Sequence, residues 1–202
     1  MKQRWFVSTF VAVTLGFSWT ASAHAGDLRA GAAKVSITPS ADEFPYTIGR
    51  EKSFVGVHDD VYARALVLDN GTTRVALVSL EVESVPDAKA MLSQLAQAAG
   101  VAESNVLLTA THTHESLTVF IHGTNLTPIQ QEEIEHIRQG AISAAREAVA
   151  HLQPARIAFA RGEAFVNINN GEEAGLKNWY DAKGPSDKTL DVVRLGTARR
   201  LP

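Results

Sequence analysis

The chain contains no cysteine, and that single absence removes several chemistries. No disulfide can staple the fold, no thiolate can hold zinc, and no thiol can act as a nucleophile. Any metal centre must therefore be built from histidine, carboxylate or tyrosine. A basic excess is missing as well: 19 Lys and Arg face 22 Asp and Glu, for a net charge of −3. A nucleic-acid partner normally needs a basic stripe, so none is expected. Neither Gly-x-x-x-x-Gly-Lys-Ser/Thr nor Gly-x-Gly-x-x-Gly occurs, so the backbone phosphate cradles of nucleotide sites are not encoded. Internal repeats and low-complexity stretches are lacking. Beyond the N-terminus no apolar run approaches the ~20 residues that span a bilayer.

What is present is an ordinary globular composition, 45% hydrophobic and 20% charged over 202 residues. The first 25 residues read as a secretory signal. Lys2 and Arg4 give a positive start, Trp5 to Trp19 is largely apolar, and Ala21-Ser-Ala23 and Ala23-His-Ala25 are both A-x-A cleavage sites. Cleavage after Ala25 leaves 26–202 as one exported domain, periplasmic or secreted, without an integral membrane span. His24 then belongs to the processing region and carries no chemistry.

Periodicity assigns the elements. Ala32 to Thr38 alternates up to Pro39 and reads as a strand, followed by a long loop over 39–59. Val61–Leu68 and Arg74–Val82 alternate on either side of Asp69-Asn70-Gly71, the strongest short-range hairpin signal. Helical spacing runs from Pro86 to Ala99 and stops at Gly100. Val106–Ala110 is the next strand. Thr127-Pro-Ile-Gln130 is a capping box with proline at the first helical position. The helix it opens extends to about Leu152, with Ile134, Ile137, Ala141, Ala145, Ala148 and Leu152 on one face. Glu132, Glu133 and Glu135 favour its positive end and read as a solvated turn. Arg156–Phe165 and Thr189–Leu195 are the remaining strands, with 166–188 a surface loop. The expected class is α/β: a single mixed-sheet domain with a βαβ-like unit, one β-hairpin and a long C-terminal amphipathic helix.

Chemistry concentrates in Thr109-Ala-Thr-His112-Thr-His114. At a strand's carboxyl end, His-x-His places both imidazoles on one side, because side chains alternate with period two. Ligand sites of βαβ units gather at that end, and neutral imidazole is the commonest zinc ligand. The same spacing equally serves two polar loop residues bonded to backbone, and the residues alone leave both readings open. Other candidates weigh less. His58 beside Asp59-Asp60 reads as loop polar packing or a third ligand, His122 as a half-buried histidine, and His136 and His151 as surface or cap residues. Glu115 reads as an exposed acid, with ligand or general base as the alternative. Glu81 reads as a strand-end acid or as one orienting an imidazole, and Tyr62 and Arg64 as packing and pairing groups. The metallo-β-lactamase pattern fails, because Ser116 and Leu117 stand where it needs Asp and His.

Four stretches in order, Ala30–Pro39, Val57–Asp69, Arg74–Glu81 and Asn105–His114, resemble the N-terminal domain of the neutral/alkaline non-lysosomal ceramidases. The likeness covers roughly residues 30–165. It is carried by the combination of Tyr62-Ala-Arg-Ala65 with Thr111-His-Thr-His114. The resemblance implies a zinc-dependent hydrolase of linear amides, cleaving the N-acyl bond of ceramide or a related lipid amide. It implies one Zn2+ with His112 as a ligand and His114 as a catalytic or metal-supporting group. The chain departs from the family pattern after the His pair, where Glu115-Ser-Leu117 replaces Ser-Gly-Pro. It departs again at Asn169-Asn170, where the family has Asn-Arg. The resemblance further implies a His, a Glu and a Tyr as zinc ligands, with an active-site serine, all beyond residue 202. The ligand set is thus expected to be incomplete and the domain truncated, with hydrolysis by this chain alone impaired. The alternative expectation is a non-catalytic exported remnant or binding domain of the same fold.

Overall fold

A computed structural model describes residues 28–48, 52–114, 116, 126–167, 169–173, 176–181 and 184–197. The signal-like residues 1–25, Glu115, Leu117 and His122 lie outside them. In chain order the strands are β1 (Arg29–Ser36), β2 (Tyr46–Ile48), β3 (Lys52–Phe54), β4 (Tyr62–Asp69) and β5 (Arg74–Leu80). Then follow helix α1 (Ala88–Ala99), β6 (Val106–Ala110), helix α2 (Pro128–Ala150), β7 (Gln153–Glu163), β8 (Asn169–Glu173), β9 (Leu176–Asp181) and β10 (Thr189–Thr197).

Among the described residues six strands form one mixed sheet in the order β10-β7-β1-β4-β5-β6. All neighbours are antiparallel except β5 and β6, which α1 joins as a parallel crossover. Alternation decides which side is covered. Ala63, Ala65 and Val67 of β4 and Ala76, Val78 and Leu80 of β5 are buried, and they form one core with both helices. The opposite face carries Leu66, Leu77 and Leu107 around a shallow groove that also includes Lys34, Arg64, Ser79 and Thr109. No helix among the described residues is long and apolar enough to cross a membrane.

Helix α2 begins where the capping box requires. Thr127 Oγ1 accepts the Gln130 amide at 3.3 Å, and Gln130 Oε1 accepts the Thr127 amide at 2.9 Å. Its covered stripe is Ile134, Ile137, Ala141, Ala145 and Ala148, as the spacing predicts, widened by Glu133, Gly140, Ile142 and Ala144. Glu133 therefore corrects the solvated-turn reading. The 3.6-residue period aligns it with Ile137, Gly140 and Ala144, so it turns inward.

Two stretches read as loops contain strands. Residues 39–59 hold β2 and β3, paired from Tyr46↔Phe54 to Ile48↔Lys52. Residues 166–188 hold β8 and β9, a hairpin with an irregularity between Gly171 and Glu173. Three-residue strands are too short to reveal alternation, and β8, all Asn, Gly and Glu, lacks the β-branched and aromatic signature. Among the described residues one expected hairpin is thus joined by two more antiparallel pairs.

That expected hairpin forms with a four-residue loop. Asp69 pairs with Arg74, Gly71 adopts φ 86°, and Asn70 Oδ1 accepts the amides of Thr72 and Thr73. The Gly71 amide and the Arg74 guanidinium, both bonded to Asp69, hold its carboxyl below the usual carboxylate range. A depressed folded-state value means stability that is present above the ordinary value of about 3.9. That contribution is lost as pH falls through the folded value. Asp69→Asn should accordingly lower the melting temperature at neutral pH. The gap from the parent protein should close under strong acid, and a gap independent of pH would contradict this origin.

Candidate functional site

β6 delivers the His pair. Its parallel ladder with β5 continues past the strand end, the Thr111 amide donating to Leu80 O at 2.9 Å and the His112 amide to Val82 O at 3.1 Å. This locks residues 110–112 beside the loop 81–83. His112 then takes φ 59°, a left-handed conformation uncommon for a non-glycine residue and a frequent mark of functional sites. The chain turns there, so the expected strand alternation is not what brings the rings together. They meet all the same: the Nε2 atoms of His112 and His114 are 3.3 Å apart, and the rings sit edge to face with centroids at 4.9 Å.

The tautomer of His112 follows from its partner. Nδ1 lies 2.7 Å from the carbonyl oxygen of Glu83, which only accepts, so Nδ1 carries the proton and Nε2 keeps its lone pair. Glu83 itself is 4% exposed, and its Oε1 is 3.8 Å from His114 Nε2. Both histidine rings reach solvent. The chain thus offers two imidazole nitrogens converging on one point beside a buried carboxylate. Among the described residues no group of three or more His, Asp or Glu is placed so that it could hold a metal ion.

Of the other candidates, His58 is almost fully exposed, with Nδ1 bonded to Asp59 at 2.9 Å. His136 is exposed on α2. His151 caps α2 and bonds Ala32 O at 3.2 Å. Glu81 does not orient an imidazole. Its Oε1 accepts from Arg64 Nε at 2.8 Å and its Oε2 from the Tyr62 amide at 2.8 Å. Tyr62 in turn lies under Lys34 and Arg64. Asn169 and Asn170 begin β8. The acid missed in the sequence is Glu83.

Thr111 and Thr113, on either side of His112, line a cleft of about 600 Å³ with Phe44, Phe54, Val57 and Pro39, while neither His112 nor His114 is part of its lining. Ser116, also on this wall, is buried and donates to Glu81 O. Its rim carries His58, Asp59 and Asp60.

With this geometry in view, likeness to known proteins is informative. Residues 30–195 match the family described as neutral/alkaline non-lysosomal ceramidase, N-terminal. The chain is 30% identical over 200 residues to the neutral ceramidase of Pseudomonas aeruginosa, covering 90% of this chain and 30% of that protein. The crystal structure of neutral ceramidase from Pseudomonas aeruginosa superposes with a TM-score of 0.61 at 23% identity, over 85% of this chain and 30% of that one. A structure titled as ceramidase complexed with C2 gives a TM-score of 0.60 at 22% identity, over 85% of this chain and 29% of that one. At those identities the superpositions speak for the fold. This chain spans about 30% of the length of the curated relative it matches. The protein belongs to the neutral/alkaline non-lysosomal ceramidase family.

Proposed function

We propose that this chain carries the zinc-binding edge of an exported amidase that hydrolyses the N-acyl bond of ceramide or a related lipid amide. Ceramide and water would give a sphingoid base and a fatty acid. The observation that supports the reading is the 3.3 Å separation of the two Nε2 atoms. An ion held on His112 Nε2 at about 2.05 Å would sit within reach of the His114 ring. His112 would be the ligand, its ring held by the Nδ1–H bond to the Glu83 carbonyl. His114, 63% exposed, is assigned the proton-handling role beside the scissile amide. Zinc, when bound, supplies Lewis acidity toward a carbonyl and acidifies water. The walls of Phe44, Phe54 and Val57 suit hydrocarbon of the substrate, and the cleft volume is within the usual range for such ligands.

One ligating histidine falls short of the three protein donors usual for a catalytic zinc. Metal binding, rather than turnover, is therefore the property to measure on this chain. Calorimetric titration with zinc should give about one ion per chain, and His112→Ala should weaken binding at least about tenfold. Equal zinc uptake by the parent and His112→Ala proteins would remove the assignment.

A further inference from the structure

Resting on the reading of His112 and His114 as the functional pair, we propose that Glu81 is their positioning residue and acts through the backbone. Its carboxylate takes the place of its own carbonyl in the β4–β5 ladder, and the carbonyl so released helps to hold the histidine turn.

The exchange is visible in the bonds of one residue pair. The Glu81 amide donates to Tyr62 O at 3.0 Å, one step beyond the last ladder pair, Ala63↔Leu80. In an antiparallel ladder such a pair exchanges both backbone bonds, so the Tyr62 amide is due to donate to Glu81 O. It donates instead to Glu81 Oε2, at 2.8 Å. Glu81 O accepts the hydroxyl of buried Ser116, at 2.5 Å.

The result is a row of four successive carbonyls that all accept from the histidine turn. Leu80 O takes the Thr111 amide, Glu81 O the Ser116 hydroxyl, Val82 O the His112 amide and Glu83 O the Nδ1–H of His112. The left-handed conformation of His112 persists only where its surroundings over-determine it, and this row supplies that constraint. His114 lies between the pins at Thr111 and Ser116, so the 3.3 Å approach of the two Nε2 atoms depends on where the row is set.

Arg64 orients the carboxylate that makes the exchange. Its Nε and Nη2 lie 2.8 and 2.7 Å from Glu81 Oε1, which leaves Oε2 to the Tyr62 amide. Arg64 itself rests over the Tyr62 ring, 5.1 Å from its centroid. Glu81 bonds to neither imidazole, so its influence passes through the main chain. An apolar side chain at position 81 leaves the Tyr62 amide to reclaim the carbonyl of residue 81, and Ser116 loses its acceptor.

The test is NMR of the intact, metal-free chain at about pH 8.5, above the ordinary imidazole range. It compares the parent protein with Glu81→Leu, Glu81→Gln and Ser116→Ala. Long-range 1H–15N spectra read the tautomer of His112, which a general loss of stability does not move in the folded protein. The parent should show the Nδ1–H form alone. Glu81→Leu should populate both tautomers and shift the His114 ring signals. Glu81→Gln keeps one acceptor for the Tyr62 amide and should retain the parent spectrum. Ser116→Ala removes a single oxygen and should fold even where Glu81→Leu does not. It should shift the His114 ring signals and leave the Tyr62 amide signal in place. Parent-like ring signals in either Glu81→Leu or Ser116→Ala overturn the proposal. A loss in Glu81→Gln as large as in Glu81→Leu also overturns it, since the effect then belongs to the ion pair with Arg64. Zinc titration of the parent is the separate check on the metal reading: no uptake removes that reading and leaves the ring signals to judge Glu81.

Discussion

Gly31→Ala should destabilise the protein by about 3 kcal/mol, at the upper end of overpacking costs. Gly31 lies on the helix-facing side of β1, opposite buried Val67, where the last turn of α2 crosses the sheet. A methyl group there would overlap the carbonyl oxygen of Ala148 and lie 2.8 Å from Leu152 N and 2.9 Å from the carbonyl carbon of His151. All three are backbone atoms, so no rotamer change relieves the contact. The helix end has to lift, against tethers from Arg29 Nη2 to Leu152 O and from His151 Nδ1 to Ala32 O. The seat is tight because its residues are small: Ala141, Ala144, Ala145 and Ala148 are all buried against the sheet. Urea unfolding should show a lower midpoint with an unchanged slope. A loss under about 1 kcal/mol would mean that α2 sits farther from β1 than described. Zinc binding by the folded fraction should stay the same, because the histidine pair stands at the far end of β6.

Much of this architecture is legible in the sequence, for reasons that can be named. β4, β5 and β6 alternate cleanly beside one covered face, and their observed bounds fall within two residues of the expected ones. The start of α2 was written in Thr127, Pro128 and Gln130, whose bonds are local. The hairpins at 46–54 and 169–181 were not legible. β2 and β3 are short and β8 is poor in β-formers, so pairing rather than propensity decides them. Acids near a helix start suit its dipole, which makes Glu133 read as solvated, although the helical period aligns it with Ile137 and Gly140. The histidine pair was found from its spacing, but alternation was the wrong reason for its convergence. A left-handed His112 arises from the ladder that holds Thr111 and His112 to Leu80 and Val82. No residue type in the segment announces that conformation. Glu83 carries no mark of its own in the sequence, since Glu81 already stands at the strand end.

Ile37 and Gly140 should show strong, compensating coupling. Ile37 is fully buried just past the end of β1, and its amide donates to Val61 O at 2.9 Å. A methyl group at Gly140 would overlap Ile37 Cγ2. Ile37→Ala alone removes that branch and leaves a cavity under α2, at an expected loss of 2–5 kcal/mol, about 3 as a central value. Gly140→Ala alone gains up to about 1 kcal/mol of helix propensity. It forces against a β-branched side chain with few alternative rotamers, so its net effect should be a loss of about 1–2 kcal/mol. Together the new methyl group occupies space that Cγ2 has vacated. The double variant should then lose roughly 2 kcal/mol less than the sum of the single losses. Denaturant unfolding of the four proteins measures this directly, and additivity within about 0.5 kcal/mol would show that the two positions do not touch. The same pair bears on the cleft. Ile37 adjoins Thr38, whose hydroxyl oxygen accepts the Val61 amide at 2.9 Å, and Thr38 and Val61 both line the cleft wall. Loosening Ile37 should therefore loosen one side of the proposed lipid cleft, while leaving the His112–Glu83 contact, held by the β5–β6 ladder, in place.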